Sequence, residues 1–328
     1  MSEEHSAILD QAIDVHAHYL TPTYRQACEA SGLVAPDGFS AFPEWTPEIA
    51  LRLMDQIGVG TALLSISSPG IHFGNDDAAC LLARQVNEEG AEIVSAHPGR
   101  FGLLASLPLP DVEGALAELT HALDHLHVDG ITLLTHYQGH YLGDPLFEPV
   151  MAELNRHHAV VVLHPTSPAG WEAVSFGRPR PMLEFPIDTT RAVFNLALTG
   201  TLDRYPHIRF VVPHAGGALP VLADRVHSFA MVFPPDGQQP ADVLTALGRL
   251  YYDLAGAPLP RALPALLSLV EPDRLLYGSD FPFTPAPLVE FLAAMLSSAD
   301  VLDEKQRQVM LRGNALRLFP RLSASSPD

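Results

Sequence analysis

The chain has 328 residues, enough for one large α/β domain, and 47% apolar against 17% charged residues predicts a sizeable core rather than a disordered chain. With 19 basic and 38 acidic side chains the formal charge is −19, so we expect no nucleic-acid partner. Cys28 and Cys80 show no CxxC spacing, which predicts free thiols, and no apolar run approaches the ~18 residues of a membrane span. The acidic start, MSEEHSAILD, does not match a secretory leader, so we expect a cytoplasmic protein with no membrane partner.

Short apolar runs alternate with helical patterns along the chain, which is typical of repeated βα units. The first helical pattern after residue 45 has Thr46 as a cap, Pro47 in its first turn and Gly58 at its end, and a later one is capped by Asp144. The last, DEKQRQVMLRGNALRLF, would close an outer ring of helices. Eight runs predict parallel strands covered on both faces: AIDVHAHY (12–19), TALLSIS (61–67), FGLLASLP (101–108), GITLLTH (130–136), VVVLHPT (160–166), RFVVPHAGG (209–217), LYYDLAG (250–256) and LLYGSDFP (275–282).

Eight strands, each followed by a helix, predict an α/β protein with a single (β/α)8 TIM barrel over residues 1–328. Residues 20–45 and 168–186 lack clear periodicity, so we expect them to be βα-loop insertions that build a pocket. The tail near 323–328 is expected to be frayed.

Polar side chains interrupt the predicted strands where these strands end. His16 and His18 end the first strand, His164 the fifth, His214 the sixth and Asp280 the eighth. Taken singly, each could be a histidine bonded to a backbone carbonyl or an aspartate that caps a helix. Together they would converge at the mouth of a barrel, where imidazoles and a carboxylate suit zinc or another first-row divalent metal, with manganese as the alternative.

Nearly the whole chain resembles a known family. The segments DVHAHYL, LLSISSPG, RFGLLASLPLPD, VVLHPT, RYPHIRFVVPHAGGALPVLADR and YGSDFP occur in the order seen in the metal-dependent amidohydrolase superfamily. The resemblance is to its branch of aminocarboxymuconate-semialdehyde decarboxylase and o-hydroxybenzoate decarboxylases. YLGDPLFEPVMAELN and DTTRAV are most similar to the subgroup described as 6-methylsalicylate decarboxylase-like.

This resemblance implies metal ligands at His16, His18, His164 and Asp280, and an acid/base role for His214. Many amidohydrolases bridge two metals with a carboxylated lysine at the end of the fourth strand, but GITLLTHY contains no lysine. That difference favours one divalent metal ion, with no organic cofactor.

Two arginine positions bear on the substrate and the assembly. Arg225 matches an arginine that, in the decarboxylase branch, reaches a neighbouring subunit's site, which implies a homodimer; it could instead pair with Asp224 or Asp253. An arginine on the helix before the second strand is replaced here by Ala50, and Arg52 lies about 200° around the helix from it. A small monocarboxylic acid is therefore a better substrate than a dicarboxylate.

Further pocket candidates come from the same motifs. Arg191 could bind a carboxylate or anchor its helix to Asp188, and His136, at the end of the fourth strand, could support the site indirectly. Aromatic residues could stack on a substrate ring or simply pack: Tyr19, Trp45, Phe281 and Phe283.

The expected reaction is non-oxidative decarboxylation of an o-hydroxybenzoate, in which either Asp280 or His214 protonates the ring carbon. The leading alternative is hydrolysis of a lactone or amide with the same metal and His214. A third interpretation is a barrel that only binds a metabolite. A barrel that only binds would not need the four ligands and the base that this sequence carries.

Overall fold

Eight parallel strands form the central sheet of the molecule. The computed structural model describes residues 8–234 and 239–323. Each strand pairs with the next in chain order, and bridges from Asp14 to Tyr277 and from Ala17 to Phe281 join the last strand to the first. The predicted TIM barrel is therefore confirmed. The strands are β1 (Ala12–His18), β2 (Val59–Ser65), β3 (Phe101–Ser106), β4 (Gly130–Leu134), β5 (Val160–His164), β6 (Arg209–Val212), β7 (Tyr251–Asp253) and β8 (Leu275–Leu276).

Helices surround the strands and cover their outer faces. In the described part of the chain no helix is long and apolar enough to cross a membrane. The helices are α1 (Pro22–Ala30), α2 (Pro47–Ile57), α3 (Asp76–Ala96), α4 (Val112–Asp124), α5 (Glu148–Arg156), α6 (Trp171–Val174), α7 (Glu184–Leu198), α8 (Thr201–Arg204), α9 (Leu219–Val232), α10 (Val243–Gly248), α11 (Ala262–Leu266), α12 (Ala286–Ser297), α13 (Glu304–Gln308) and α14 (Asn314–Leu318).

The helix boundaries follow the capping signals in the sequence. The Thr46 hydroxyl accepts a hydrogen bond from the backbone N–H of Ile49, and Gly58 ends α2 with a left-handed φ of 85°. Asp144 accepts from Leu146 N–H and caps a 3₁₀ turn that leads into α5. The last helical segment is divided, because a π-helical turn over Val309–Gly313 separates α13 from α14.

A bulge in β1 directs the histidine pair towards the barrel mouth. Ile13 and Val15 pack in the barrel interior, and the pairing with β2 then shifts between Asp14 and Ala17. The extra residue reverses the alternation of side chains, as bulges do. His16 and His18 consequently follow Val15 onto the inner side of the barrel, above its apolar filling.

The lower end of the barrel is closed by the C-terminal segment. Leu318 in α14 and Phe319 pack with inward-facing strand residues and are almost fully buried. The strand residues in this cluster are Ile13, Val15, Leu63, Leu104, Val160, Val162, Val211 and Leu276. A closed lower end leaves the C-terminal ends of the strands as the open face, where polar side chains can meet a ligand.

The two predicted loop insertions do carry local helices. Residues 20–45 contain α1, which begins where the Thr21 hydroxyl accepts a hydrogen bond from Tyr24 N–H. A capping residue followed by proline is a signal for a helix start, although this segment has no apolar periodicity. Residues 168–186 contain α6 and a 3₁₀ turn over Arg180–Met182, and they end in the first turn of α7. Of the tail near 323–328, only Ser323 is among the described residues, at the end of a 3₁₀ turn.

Strands β6, β7 and β8 are several residues shorter than the sequence predicts, and β4 is two residues shorter. After β4 the chain forms a small hairpin between residues 136–137 and 140–141. After β8 it turns away at Asp280, whose φ of 58° lies in the left-handed region and cannot continue a strand. In both cases the residues beyond the strand contribute to the open face instead.

Candidate metal centre

Four side chains meet at the open end of the barrel. His16 and His18 come from β1, His164 from the end of β5 and Asp280 from the segment after β8, and one potential ligand atom of each lies within 4.8 Å of the others. An Asp280 carboxylate oxygen lies 3.2 Å from His18 Nε2 and 3.6 Å from His16 Nε2. The structure therefore brings together the ligand set that the sequence resemblance implies.

These atoms suit a divalent metal. His16 Nε2 and His18 Nε2 are buried and have no hydrogen-bond partner of good geometry. Buried polar atoms are nearly always paired, so two unpaired nitrogens directed at one carboxylate indicate a place for a cation. Three imidazoles and one carboxylate form a mixed N/O donor set for a first-row divalent ion.

The other ring nitrogen of each histidine is held in place. His16 Nδ1 lies 2.9 Å from an Asp253 carboxylate oxygen, His18 Nδ1 lies 3.0 Å from the Ser65 hydroxyl, and His164 Nδ1 lies 2.7 Å from the Pro165 carbonyl. Hydrogen bonds of this kind fix the ring orientation and the tautomer of metal-binding histidines. Nε2 of His16 and of His18 is thereby left facing Asp280, while His164 Nε2 lies 3.2 Å from the Ser67 hydroxyl at the cavity.

Asp253 at the end of β7 is a functional residue that the sequence reasoning missed. One oxygen contacts His16, and the other accepts hydrogen bonds from the backbone N–H groups of His214 and Ala255, each at 3.0 Å. Its signal was similar to that of the other site residues, since a carboxylate interrupts the apolar run LYYDLAG. Pairing of Arg225 with Asp253, one of the alternatives raised above, is wrong because Asp253 is fully buried with both oxygens engaged by His16 and the backbone, whereas Arg225 is exposed.

Asp14 fixes the backbone beneath the ligands. Its Oδ1 accepts hydrogen bonds from the backbone N–H groups of His16, at 3.0 Å, and Ser279, at 3.1 Å. Burial raises the pKa of Asp14 to about 6, although the bonds from Ser279 and His16 oppose that rise. Asp14 thereby holds β1 and the Asp280 segment in register.

His214 stands beside the four ligands and opens onto the cavity. Its Nε2 lies 3.9 Å from an Asp280 oxygen, and its ring centroid lies 5.0 Å from that of His16. His214, Ala215 and Asp280 all have positive φ values, between 52° and 58°, a strained conformation for residues other than glycine. This backbone strain at His214 and Asp280 indicates that the surrounding fold holds both side chains in place at a cost in local backbone energy.

The electrostatic environment favours a cation and an ionised Asp280. Burial opposes ionisation of Asp280, but the neighbouring side chains of His18 and His214 and the charge of His16 hold its pKa well below the usual range. Burial also lowers the pKa of His16, but the charge of Asp253 and their hydrogen bond outweigh this and raise the pKa to about 9. Burial and the neighbouring imidazoles push the pKa of His164 well below its usual range, so that ring is neutral and available as a ligand.

A cavity of about 560 Å³ lies above the ligands. His164, His214 and Asp280 form part of its floor, Phe283 lines it and packs edge-on against His18 with ring centroids 5.6 Å apart, and no lysine or arginine is among its described lining residues. Its remaining walls are mostly apolar: Phe39, Pro179, Pro181, Met182, Phe185, Pro186, Ala257, Pro258 and Ala262. The cavity therefore fits a small ring whose charged group points down towards the metal centre.

Other predicted contact residues lie away from this cavity. Tyr19 is fully buried, and its hydroxyl donates to the Val86 carbonyl at 2.8 Å. Trp45 packs edge-on against Tyr19 and, with Phe281, lines a separate space of about 20 Å³ next to Ala50. Alternation along β1 explains this placement, because neighbouring residues of a strand face opposite sides and Tyr19 follows His18.

The two arginines and His136 also lie outside the described lining. Arg191 contacts Asp188 at 3.2 Å and the Tyr141 hydroxyl at 3.1 Å, the anchoring alternative that the sequence left open. His136 contacts the Ser167 carbonyl at 3.2 Å and so helps to hold the loop after β5.

Arg225 is exposed on α9. Its guanidinium carbon lies 4.9 Å from the ring centroid of Phe229 on the same helix. Within one chain Arg225 is not among the described residues that line the cavity.

Comparison with known proteins identifies relatives that match nearly the whole chain. The chain is 39% identical to a 6-methylsalicylic acid decarboxylase of Aspergillus aculeatus, over 96% of this chain and 98% of that protein. It is 37% identical to a 6-methylsalicylic acid decarboxylase of Penicillium expansum, over 94% of this chain and 96% of that protein. These relatives confirm the resemblance to the o-hydroxybenzoate decarboxylase branch.

Solved structures share the architecture. A crystal structure described as amidohydrolase II superposes with a TM-score of 0.90 and 36% identity, over 94% of this chain and 99% of that one. A dihydroxybenzoic acid decarboxylase from Polaromonas, solved with bound manganese and the inhibitor 2-nitroresorcinol, shares the fold with a TM-score of 0.81 at 22% identity, over 95% of this chain and 97% of that one. The family model described as Amidohydrolase matches residues 13–321. The chain therefore belongs to the amidohydrolase family.

Proposed function

We propose that this chain is a metal-dependent, non-oxidative decarboxylase of a small o-hydroxybenzoate such as 6-methylsalicylate. The observation that supports it most directly is the combination of one centre of three histidines and an aspartate with a largely apolar cavity that can accommodate an aromatic ring. The relatives of matching length named as 6-methylsalicylic acid decarboxylases support the same substrate class. Its enzyme class would be carboxy-lyase.

His16, His18, His164 and Asp280 would hold one divalent ion. When bound, the ion supplies the positive charge that neutralises the carboxylate and an adjacent phenol oxygen of the substrate. No lysine or arginine lines the described part of the cavity, so the carboxylate has its counter-charge only at this floor. We take zinc as the first candidate from the donor types, and manganese as the alternative because a structural neighbour contains it.

His214 and Asp280 would handle the proton. A carbon–carbon bond breaks when the ring carbon that bears the carboxylate gains a proton; carbon dioxide leaves, and the bonding electrons return to the ring. His214 Nε2 and the Asp280 carboxylate are 3.9 Å apart at the cavity floor, so both are placed to deliver that proton, although the ionised Asp280 would first have to accept it. Phe283 would hold the ring above them by edge or face contact.

Arg225 would act only through a second subunit. Its helix presents apolar side chains to solvent, with Val221 73% and Phe229 52% exposed. A homodimer that covers this face would bring Arg225 to the partner's cavity, as the family resemblance implies. Light scattering of the purified protein, followed by Arg225→Ala kinetics in the dimer, tests both parts.

The remaining proposals concern three contact candidates and the cellular location of the protein. Arg191, Tyr19 and Trp45 could influence the substrate only indirectly, because each is engaged outside the cavity. A cytoplasmic location is supported by two free thiols, Cys28 and Cys80.

The alternative function is hydrolysis of a lactone or amide, with His214 as the base that activates water. Incubation of the metal-loaded protein with 6-methylsalicylate in D₂O separates the two. Decarboxylation predicts carbon dioxide and 3-methylphenol with one deuterium at the ring carbon that lost the carboxylate. Ring opening of a lactone without any gas release from hydroxybenzoates would favour hydrolysis.

The matched variant for that assay is His214→Asn, which keeps all four predicted metal ligands. We expect it to retain the metal and to lose at least about a hundredfold in rate, the usual contribution of a positioned acid. If the rate is unchanged, Asp280 alone delivers the proton.

A further inference from the structure

Two loops meet at the entrance of the cavity. The β1 loop spans residues 31–46, between α1 and α2, and the β5 loop spans residues 165–183, between β5 and α7. The backbone N–H of Arg180 donates to the Asp37 carbonyl at 3.0 Å, and the Ser167 hydroxyl donates to the Asp37 carboxylate. Arg180 Nε donates in turn to the Ser167 hydroxyl at 3.0 Å. We name these three residues, Asp37, Ser167 and Arg180, the loop clamp.

Asp37 is the buried member of the loop clamp, and Ser167 and Arg180 are partly buried. Asp37 is only 6% exposed, so its carboxylate depends on these partners for the hydrogen bonds that water would otherwise provide. At Gly38, whose φ is 84°, a β-carbon would lie 2.6 Å from the Arg180 guanidinium and 3.1 Å from Pro179 Cα. The Arg180 guanidinium also lies 4.0 Å from the ring centroid of Trp171. A β-carbon at position 38 would therefore collide with the β5 loop, which shows how closely the two loops pack.

Residues next to the loop clamp form the cavity wall. The β1 loop contributes Asp37 and Phe39 to the lining, and the β5 loop contributes Pro179, Pro181 and Met182. Neither loop has a regular hydrogen-bonded ladder to hold it, whereas the metal ligands stand on the barrel itself. The distance between the apolar wall and the metal centre is therefore set by the contacts between the loops.

We propose that Asp37 is a positioning residue, which with Ser167 and Arg180 holds Phe39 and Met182 against the aromatic ring of the substrate. This inference rests on the proposed function for the nature of the ligand. It predicts that loosening the loop clamp weakens binding of the ring and reduces discrimination for its methyl group, while the metal centre stays intact.

The experiment measures affinity rather than turnover. The probes are 3-methyl-2-nitrophenol, in which a nitro group replaces the carboxylate of 6-methylsalicylate, and 2-nitrophenol, which lacks the methyl group. Calorimetry gives the Kd of each for the metal-loaded wild-type protein, Ser167→Ala and Asp37→Asn. Asparagine tolerates the left-handed φ of 50° at Asp37, so that variant changes the charge without straining the backbone.

The matched control is Asp129→Asn. Asp129 precedes β4 at the closed end of the barrel, and its carboxylate accepts from Leu103 N–H at 2.9 Å. The control removes a partly buried carboxylate far from the cavity, and metal content and Tm are recorded for every variant.

We expect both clamp variants to raise the Kd of 3-methyl-2-nitrophenol about tenfold, the usual effect of losing a hydrogen bond to a charged group. Burial of one methyl group predicts that the wild type binds 3-methyl-2-nitrophenol about fourfold more tightly than 2-nitrophenol. The ratio of these two Kd values should fall towards one in the variants. Metal content should not change.

Three results would overturn the inference: unchanged Kd values, an equal loss in Asp129→Asn, or a wild-type protein that binds neither probe. Absence of carbon dioxide release with the expected binding pattern would instead contradict only the proposed function. The two failures are therefore distinguishable.

Discussion

Replacement of Asp253 by asparagine tests how the barrel prepares a metal ligand. In the wild type, one Asp253 oxygen accepts from His16 Nδ1 at 2.9 Å, so that Nε2, which faces Asp280, is the nitrogen that would give up its proton and offer its lone pair to a metal. In Asp253→Asn, the amide oxygen can still accept from the backbone N–H groups of His214 and Ala255. The amide NH₂ then faces the protonated Nδ1 of His16, so two hydrogen-bond donors point at each other.

The His16 ring must respond by changing tautomer. With Nδ1 unprotonated to accept from the amide, Nε2 carries the proton and can no longer donate a lone pair to a metal. Loss of such a supporting carboxylate typically costs about 10- to 100-fold in metal affinity, equivalent to about 1.4 to 2.7 kcal/mol. We expect a loss in this range, with a parallel loss of activity at limiting metal.

The assay is a competition titration with a chromophoric chelator, with the protein's Tm recorded in parallel. Asp129→Asn is the control, since it makes the same chemical change at the other end of the barrel. A metal affinity within twofold of the wild type in a folded Asp253→Asn protein would refute the orientation argument.

Three further predictions concern the cavity wall, an ion pair and the thiols. Phe283→Ala should raise KM about tenfold with little change in metal content, because the ring loses an aromatic contact; an unchanged KM would exclude Phe283 from the binding surface. Arg191→Ala should lower stability by about 1 kcal/mol or less, since this arginine is half exposed, and should leave KM unchanged; a raised KM at constant Tm would instead support direct substrate binding. Burial raises the thiol pKa of Cys28 and of Cys80 to about 11, so only about one thiol in a thousand is ionised at pH 8; thiolate increases with pH, and reaction with Ellman's reagent should be slow at pH 8 and accelerate towards pH 11. Fast reaction of both thiols at pH 8 would contradict this.

The sequence was sufficient to predict the barrel and the cluster of polar side chains at its mouth because both follow from regular geometry. Parallel strands end on one face, so His16, His164 and Asp280 had to approach one another once the eight strands were recognised. Asp253 carried the same signal, but β7 has only three residues, and its carboxylate acts through a histidine rather than on the metal.

The cavity wall was less predictable because loops have no periodic pattern. The contact between Asp37 and Arg180 joins residues 143 positions apart in segments without a repeating apolar face. Tyr19 was assigned to the pocket because of its place in the histidine motif, yet strand alternation turns it to the outer side, where Val86 accepts its hydroxyl.

The most direct test of the central claim is the stoichiometry of 6-methylsalicylate turnover by protein with one bound divalent ion per chain. The account predicts equimolar carbon dioxide and 3-methylphenol, with the activity lost after chelation and restored by one equivalent of metal. Protein that binds one metal ion per chain and releases no carbon dioxide from 6-methylsalicylate or any related hydroxybenzoate would contradict it.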